Sequence, residues 1–203
     1  MYVVLVTGGI GSGKKTACEY LDSKGATVLD LDEIAKEEQS SPLILAELQE
    51  AFGDGVIDAD GFINRQLLAD RAFVSRESAD KLNAICWPSV VQRVADFILN
   101  GSCQQKSTSS LLVIEVPLLA EAPVLLDLKD EVMCVVAPES LRFERAVSRG
   151  LRPEDVRKRM ALQASDEQRI AISDTVIDNS GSLEALYKQL DDWFAQRTAD
   201  RLF

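Results

Sequence analysis

Short, almost unbroken apolar runs alternate along this chain with longer stretches in which apolar residues recur every three or four positions. The runs at residues 2–6, 27–29, 111–116, 131–136 and 175–177 are too short for helices and are bounded by turn residues, so they predict five strands. Helical spacing predicts helices at 14–23, 32–39, 42–52, 65–73, 78–99, 138–148, 153–164 and 182–197. The last is the clearest, with Leu183, Leu186, Tyr187, Leu190, Trp193 and Phe194 on one face, an arrangement that predicts core packing for its aromatics. Strands that alternate with helices and are apolar throughout imply an α/β fold with a parallel sheet buried on both faces.

Two regions depart from the alternation. Residues 30–110, between the second and third strands, are mostly helical in pattern and far exceed what a βαβ crossover needs, so they predict an insert with its own role. Gly53-Asp54-Gly55 and Asp60-Gly61 mark turns inside it, and the polar stretch 100–110, rich in Ser, Gln and Thr, predicts a flexible loop before the third strand. No internal repeat is present.

Composition narrows the class. With 203 residues the chain suits one core domain with helical inserts. A formal net charge of -11 argues against a nucleic-acid binder, and any anion site must gather its positive charges locally. There is no apolar stretch of membrane-spanning length and no secretory leader pattern, so a cytoplasmic protein is expected, with no membrane association and no obligate protein partner. Cys18, Cys86, Cys103 and Cys134 lack metal-site spacing, and Cys18 and Cys134 fall in apolar surroundings that suit reduced structural thiols. The chain contains no histidine, so a general base must be a carboxylate, lysine, tyrosine or cysteine.

The first strand runs into Gly8-Gly9-Ile10-Gly11-Ser12-Gly13-Lys14-Lys15-Thr16. This meets the phosphate-loop pattern G-x-x-x-x-G-K-[ST] through Lys14 and breaks it at the last position, where Lys15 stands for the hydroxyl that binds magnesium. Glycines let the backbone approach a phosphate closely, and a helix opening near Lys14 adds its positive dipole end. A ligand-free turn and a dinucleotide loop are the alternatives, but the glycines give G-x-G-x-x-G only if Lys14 replaces the last one, which favours a nucleotide phosphate. Gly11, Ser12, Gly13, Lys14, Lys15 and Thr16 are the candidate ATP contacts. Thr16 is the remaining candidate metal ligand, about 100° further round the helix and so an imperfect one. Magnesium is expected, with its binding weakened by Lys15.

Other charged residues add candidate chemistry. Asp30 and Asp32 follow the second strand and would share a side in an extended chain, at the edge of a parallel sheet where ligands bind; either can take a proton from a hydroxyl, while Asp32 alternatively caps a helix. Arg142, Arg145, Arg149, Arg152, Arg157, Lys158 and Arg159 form a basic island in an acidic chain. Arg142, Arg145 and Arg149 share a helical face suited to closing over a transferring phosphate, a solvated face being the alternative. Glu115 interrupts an apolar strand, which is costly unless it is paired, so it is a candidate metal-shell or substrate contact, and Glu121 follows it.

Taken in order, Thr7 to Lys14, Asp30-Leu31-Asp32 with Ile34-Ala35, Gly61-Phe62-Ile63-Asn64-Arg65 with Leu68-Ala69, Glu115-Val116-Pro117-Leu118-Leu119-Ala120-Glu121, Arg145 with Arg149, Gln163 and Val176-Ile177-Asp178-Asn179 resemble the dephospho-CoA kinase family over nearly the whole chain. The resemblance implies an α/β three-layer P-loop kinase core with a parallel five-stranded sheet. It places the core at 1–35, 107–137 and 170–203, a helical acceptor insert at 36–106 and a lid at 138–169. It implies transfer of the ATP γ-phosphate to the ribose 3′-hydroxyl of dephospho-CoA, with ATP and dephospho-CoA as partners. By position, Asp32 is the base, Lys14 the phosphate ligand, Arg65 an acceptor-side contact, Arg145 and Arg149 the lid charges, and Asn179 an adenine neighbour. The family's Gly-Lys-Ser-Thr is here Gly13-Lys14-Lys15-Thr16, and its His-Pro is Trp87-Pro88. These departures leave a catalytically weakened or silent nucleotide-binding relative, or a kinase for another alcohol, as the alternative readings.

Overall fold

The computed structural model describes residues 1–100, 110–117, 119 and 123–199. Cys103, Glu121, Leu118 and Ala120 lie outside the described residues, as does the predicted loop apart from its ends at Asn100 and Ser110. The chain forms two compact units, Met1–Leu31 with Gln104–Phe203, and Asp32–Cys103.

The first unit is built on five parallel strands: β1 (Tyr2–Thr7), β2 (Thr27–Asp30), β3 (Leu111–Glu115), β4 (Glu131–Val136) and β5 (Thr175–Asp178), in the order β2-β3-β1-β4-β5. All five lie where the apolar runs put them, within a residue at each end. β1 is central: the chain goes first to one side of it and then to the other, which makes its carboxyl end the switch point where open α/β sheets bind ligands. Register pairs Val6 with Glu115 and Asp30 with Glu115, so the two acids end adjacent strands.

Both faces of the sheet are covered, which explains why its strands are apolar throughout rather than alternating. Val4, Val6, Leu111, Val113, Met133 and Val135 pack with Ala17, Cys18 and Leu21 of α1 (Lys14–Ser23) and Leu186, Leu190 and Trp193 of the last helix, Leu183–Ala199. Val3, Leu5, Leu112, Ile114, Val132 and Cys134 point the other way and are buried too. A leucine or valine buried to this degree contributes about 1.5–3 kcal/mol. Leu183, counted with the apolar face from its spacing, is 48% exposed at the start of its helix.

The second unit is helical. α2 (Leu31–Glu38) leads into it, and α3 (Pro42–Phe52), α4 (Arg65–Ala72) and α5 (Arg76–Asn100) follow. Ser41 Oγ accepts from Ile44 N–H to start α3, with Pro42 in its first turn, and Asn64 Oδ1 accepts from Leu67 N–H to start α4. Ile44, Leu48, Phe52, Val56, Leu68, Ala72 and Cys86 form its core. The turn before α4 is closed by Asp58 Oδ1, which accepts from Asp60 and Phe62 N–H, and by an antiparallel bridge between Ile57 and Ile63. α5 runs on through Pro88, and the half-buried Trp87 precedes it.

After β4 come α6 (Glu139–Ser148), α7 (Pro153–Leu162), α8 (Asp166–Ala171) and, following β5, α9 (Leu183–Ala199). α8 and the 3-10 turn Pro123–Leu128 were not foreseen from periodicity, both being only six residues long. α8 nevertheless carries a readable signal: Ser165 and Gln168 form a capping box, each side chain bonded to the other's backbone N–H.

Candidate functional site

The glycine loop fills the turn between the carboxyl end of β1 and α1. Gly13 caps the helix at φ 101°, a left-handed conformation that other residues adopt only with strain. A side chain there would also collide with the Asn179 amide, and one at Gly9 with the Arg142 guanidinium. The loop therefore needs these glycines for close approach as well as for its turn. Ser12 N–H donates to Gly9 O at 3.1 Å, folding the loop over on itself.

Lys14 is buried with its ammonium turned under the loop, donating to Gly8 O at 2.9 Å and Gly9 O at 3.3 Å. Lys15 is exposed. The N–H groups of Lys15 and Thr16 lie in the first helical turn, where there is no intrahelical acceptor, and so belong to the donor-rich end of the dipole.

Side chains from α6–α8 and from the end of β5 hold the loop. Asn179 Nδ2 donates to Ser12 O at 2.7 Å, and Arg145 Nη1 in turn donates to Asn179 O at 2.9 Å. Gln163 Oε1 accepts from Ile10 N–H at 2.9 Å. Arg142 is buried: its Nε donates to Ala137 O at 3.0 Å and its Nη2 pairs with Asp166 at 3.2 Å, while the buried Arg169 meets the other oxygen of Asp166 at 2.8 Å. One carboxylate thus neutralises two guanidiniums that flank Gly9. Gly13, Thr16, Arg145, Arg149, Asn179, Gly181 and Leu183 line a pocket of about 170 Å³ beside the loop, which accounts for the exposure of Leu183.

The shared arginine face needs correction. Arg142 turns inward onto Asp166, Arg145 reaches Asn179, and Arg149 sits one residue beyond the end of α6, exposed at the pocket. Spacing at i, i+3 and i+7 gave a common side, but burial of the first residue and helix termination before the third separate their tasks. Asp166 and Arg169 were missed as site residues, because their meaning depends on Gly9 and Arg142, far away in sequence.

Asp30 and Asp32 do not share an extended segment. Asp30 is the last residue of β2, and α2 begins at once with Leu31, so Asp32 lies in the first helical turn with Glu33. There its charge complements the helix dipole from inside the helix rather than as a cap. Asp32 and Arg65 are exposed, Arg65 as the first residue of α4. Glu115 is half-buried beside Asp30 at the sheet edge, and both carboxylates act electrostatically on Cys18, together with Lys14. Burial, more than these charges, pushes the Cys18 thiol well up, and Cys86 and Cys134 are raised by burial too. All three are buried free thiols, as expected for Cys18 and Cys134.

The donor set does not match a loop magnesium site. The hydroxyl position holds a lysine, which donates and cannot accept. Thr16, the substitute, lines the pocket with Arg145 and Arg149. Among the described residues no group of three or more His, Cys, Asp or Glu is placed to hold a metal ion.

A glycine loop at the switch point of a parallel 2-3-1-4-5 sheet, with a lysine folded beneath it and arginines from the helices after β4 at its rim, defines a P-loop kinase core. The family model described as CoaE: Dephospho-CoA kinase matches residues 2–185. A curated dephospho-CoA kinase of Corynebacterium jeikeium is 42% identical over 96% of this chain and 98% of its own. A Thermus thermophilus crystal structure superimposes with a TM-score of 0.81 at 29% identity, covering 96% of this chain and 97% of that one. The dephospho-CoA kinase of Campylobacter jejuni shares the fold, with a TM-score of 0.70 at 20% identity over 99% of this chain and 98% of its own. The chain belongs to the dephospho-CoA kinase family. It is an ATP-dependent kinase, with ATP as its co-substrate.

Proposed function

We propose that this protein transfers the γ-phosphate of ATP to the ribose 3′-hydroxyl of dephospho-CoA, giving coenzyme A and ADP. The observation that carries this reading is the loop itself, with Lys14 buried beneath it, Asn179 bonded to its backbone and Arg145 bonded in turn to Asn179, inside a family match that spans residues 2–185. A catalytically silent relative is not favoured by a match of that extent.

In this proposal Gly11, Ser12, Gly13, Lys15 and Thr16 surround the ATP phosphates. Lys14 leaves the carbonyls of Gly8 and Gly9 and meets the outer phosphates. The pocket beside Gly13 and Asn179 takes the nucleoside end. Arg145 and Arg149 face the charge that spreads over the oxygens of the transferring phosphoryl group, where fixed cations act most strongly. Asp32 accepts the proton as the 3′-oxygen bonds to the γ-phosphorus and the bond to the ADP oxygen breaks. Arg65 and Glu115 contact the acceptor. Residues 36–106 act as the acceptor insert and 138–169 as the lid, with the rest as core.

Among the described residues no helix is long and apolar enough to cross a membrane. A cytoplasmic location without nucleic-acid or obligate protein partners is part of the same proposal, supported by the net charge of -11 and the three buried thiols.

The test is initial ADP release with dephospho-CoA as acceptor against adenosine, for the wild type and for Asp32→Asn. Dephospho-CoA should be strongly preferred, and Asp32→Asn should lower kcat by about two to four powers of ten if Asp32 is the base. Equal use of adenosine would reject the acceptor, and an unchanged kcat would reject the base.

A further inference from the structure

We infer that Lys15 replaces the metal-binding hydroxyl of the loop with a side-chain charge, so that this chain holds the phosphates of ATP without needing a divalent cation for binding. The inference rests on the reading of the loop as a triphosphate site and goes beyond it by assigning a role to the residue that breaks the loop pattern.

Lys15 is the second residue of α1, directly after the buried Lys14 and two residues after the left-handed Gly13. It is exposed, and among the described residues its ammonium has no hydrogen-bond or ion-pair partner, so it is not engaged in holding the fold. Apart from Arg149 at the rim of the neighbouring pocket, the other cations at the loop are committed. Lys14 is bonded to loop carbonyls, Arg142 and Arg169 share Asp166, and Arg145 donates to Asn179 O. Lys15 therefore brings to the mouth of the loop a positive charge that is not spent on the protein.

The hydroxyl position cannot serve a cation while it carries one. A divalent ion seated there would meet the Lys15 ammonium, and like charges at contact distance repel. Thr16 does not relieve this, since its side chain lines the pocket that holds Arg145 and Arg149. Free ATP, by contrast, carries the full charge of its phosphates, and an ammonium at the helix N-terminus adds to the first-turn dipole that already favours anions. The same residue thus opposes the metal and substitutes for part of its charge. In a chain of net charge -11 this local cation also offsets the long-range repulsion that a polyanion meets on approach.

Calorimetric titration of ATP into the full chain, in EDTA and in excess Mg²⁺, tests this for the wild type, Lys15→Ser and Lys15→Arg. The wild type should bind ATP in EDTA within about threefold of its affinity in Mg²⁺, and Lys15→Ser should lose about tenfold in EDTA, the order expected for one partly solvated charge pair, and recover in Mg²⁺. Lys15→Arg, which keeps the charge, should retain binding in EDTA. Wild-type binding that is at least about tenfold tighter with Mg²⁺ overturns the inference, as does Lys15→Ser binding in EDTA as tightly as the wild type. Those results leave the triphosphate site standing, whereas absence of ATP binding in both buffers overturns that reading and the inference together.

Discussion

The two ends of the β-sheet bury polar groups in opposite ways. At the amino-terminal edge, Glu131 opens β4 and is almost wholly enclosed: Trp193 Nε1 donates to it at 2.8 Å, Tyr2 Oη at 2.9 Å, and Arg197 grips it through Nε at 3.0 Å and Nη2 at 2.6 Å, with Thr175 Oγ1 as a further donor. Burial on its own would raise the Glu131 carboxyl, but the bonds from Arg197, Thr175, Trp193 and Tyr2 outweigh it and hold the group below the usual carboxylate range. Burial and the bond to Glu131 push the Tyr2 phenol up to about 12. At the carboxyl edge the buried Thr7 and Ser12 hydroxyls have no partner among the described residues, and Lys14 rests on loop carbonyls it can leave. The saturated end pins α9 and three strands together. The other end is left incompletely satisfied where the phosphates are proposed to bind, which is the usual cost of a site built to meet a ligand.

Changes at each end should therefore separate catalysis from stability. Lys14→Met should lower kcat/KM by roughly 10²–10³ or more, as for loss of a principal transition-state donor, with a stability cost of about 1 kcal/mol for one net hydrogen bond. Rate assays beside thermal melts check both parts, and a large fall in melting temperature with intact turnover would reverse the comparison.

Glu131→Gln should do the opposite. Breaking an enclosed ion pair costs about 3–5 kcal/mol, and because Arg197 keeps some contact with water the lower end applies, a fall in melting midpoint of roughly 6–12 °C. The kcat of the folded variant should change little. Since the folded-state pKa of Glu131 is depressed, its stabilisation is fully present above the unfolded value of about 4.3 and is lost as pH falls through the folded value. The gap in stability between wild type and Glu131→Gln should therefore be constant near neutrality and close in acid, as chemical denaturation across pH would show.

The smallest effect belongs to Thr7→Val. Exchanging an unpartnered buried hydroxyl for a methyl group should leave stability within about 0.5 kcal/mol or raise it slightly. A loss well beyond that would mean that the Thr7 hydroxyl is satisfied after all.

Local patterns made most of this fold legible. Among the described residues, apolar runs and helical spacing reveal all five strands and eight of the nine helices, because buried parallel strands and amphipathic helices write their burial into neighbouring residues. The glycine loop was legible because close backbone approach demands glycine at fixed positions. What stayed hidden joins residues far apart in sequence: Tyr2, Glu131, Thr175, Trp193 and Arg197 in one network, or Arg142, Asp166 and Arg169 around Gly9. Nothing local marks Glu131 as different from a strand-capping acid at the surface. Asp32 shows the converse error, since an extended reading of 30–32 missed that the helix starts immediately after Asp30.

The incompletely satisfied end of the sheet is proposed to transfer phosphate to dephospho-CoA. Phosphorus NMR of the purified protein turning over ATP with dephospho-CoA tests it most directly. A new 3′-phosphomonoester signal of coenzyme A should grow in step with ADP; ATP that stays intact, or ADP that accumulates with only inorganic phosphate beside it, would rule out this transfer.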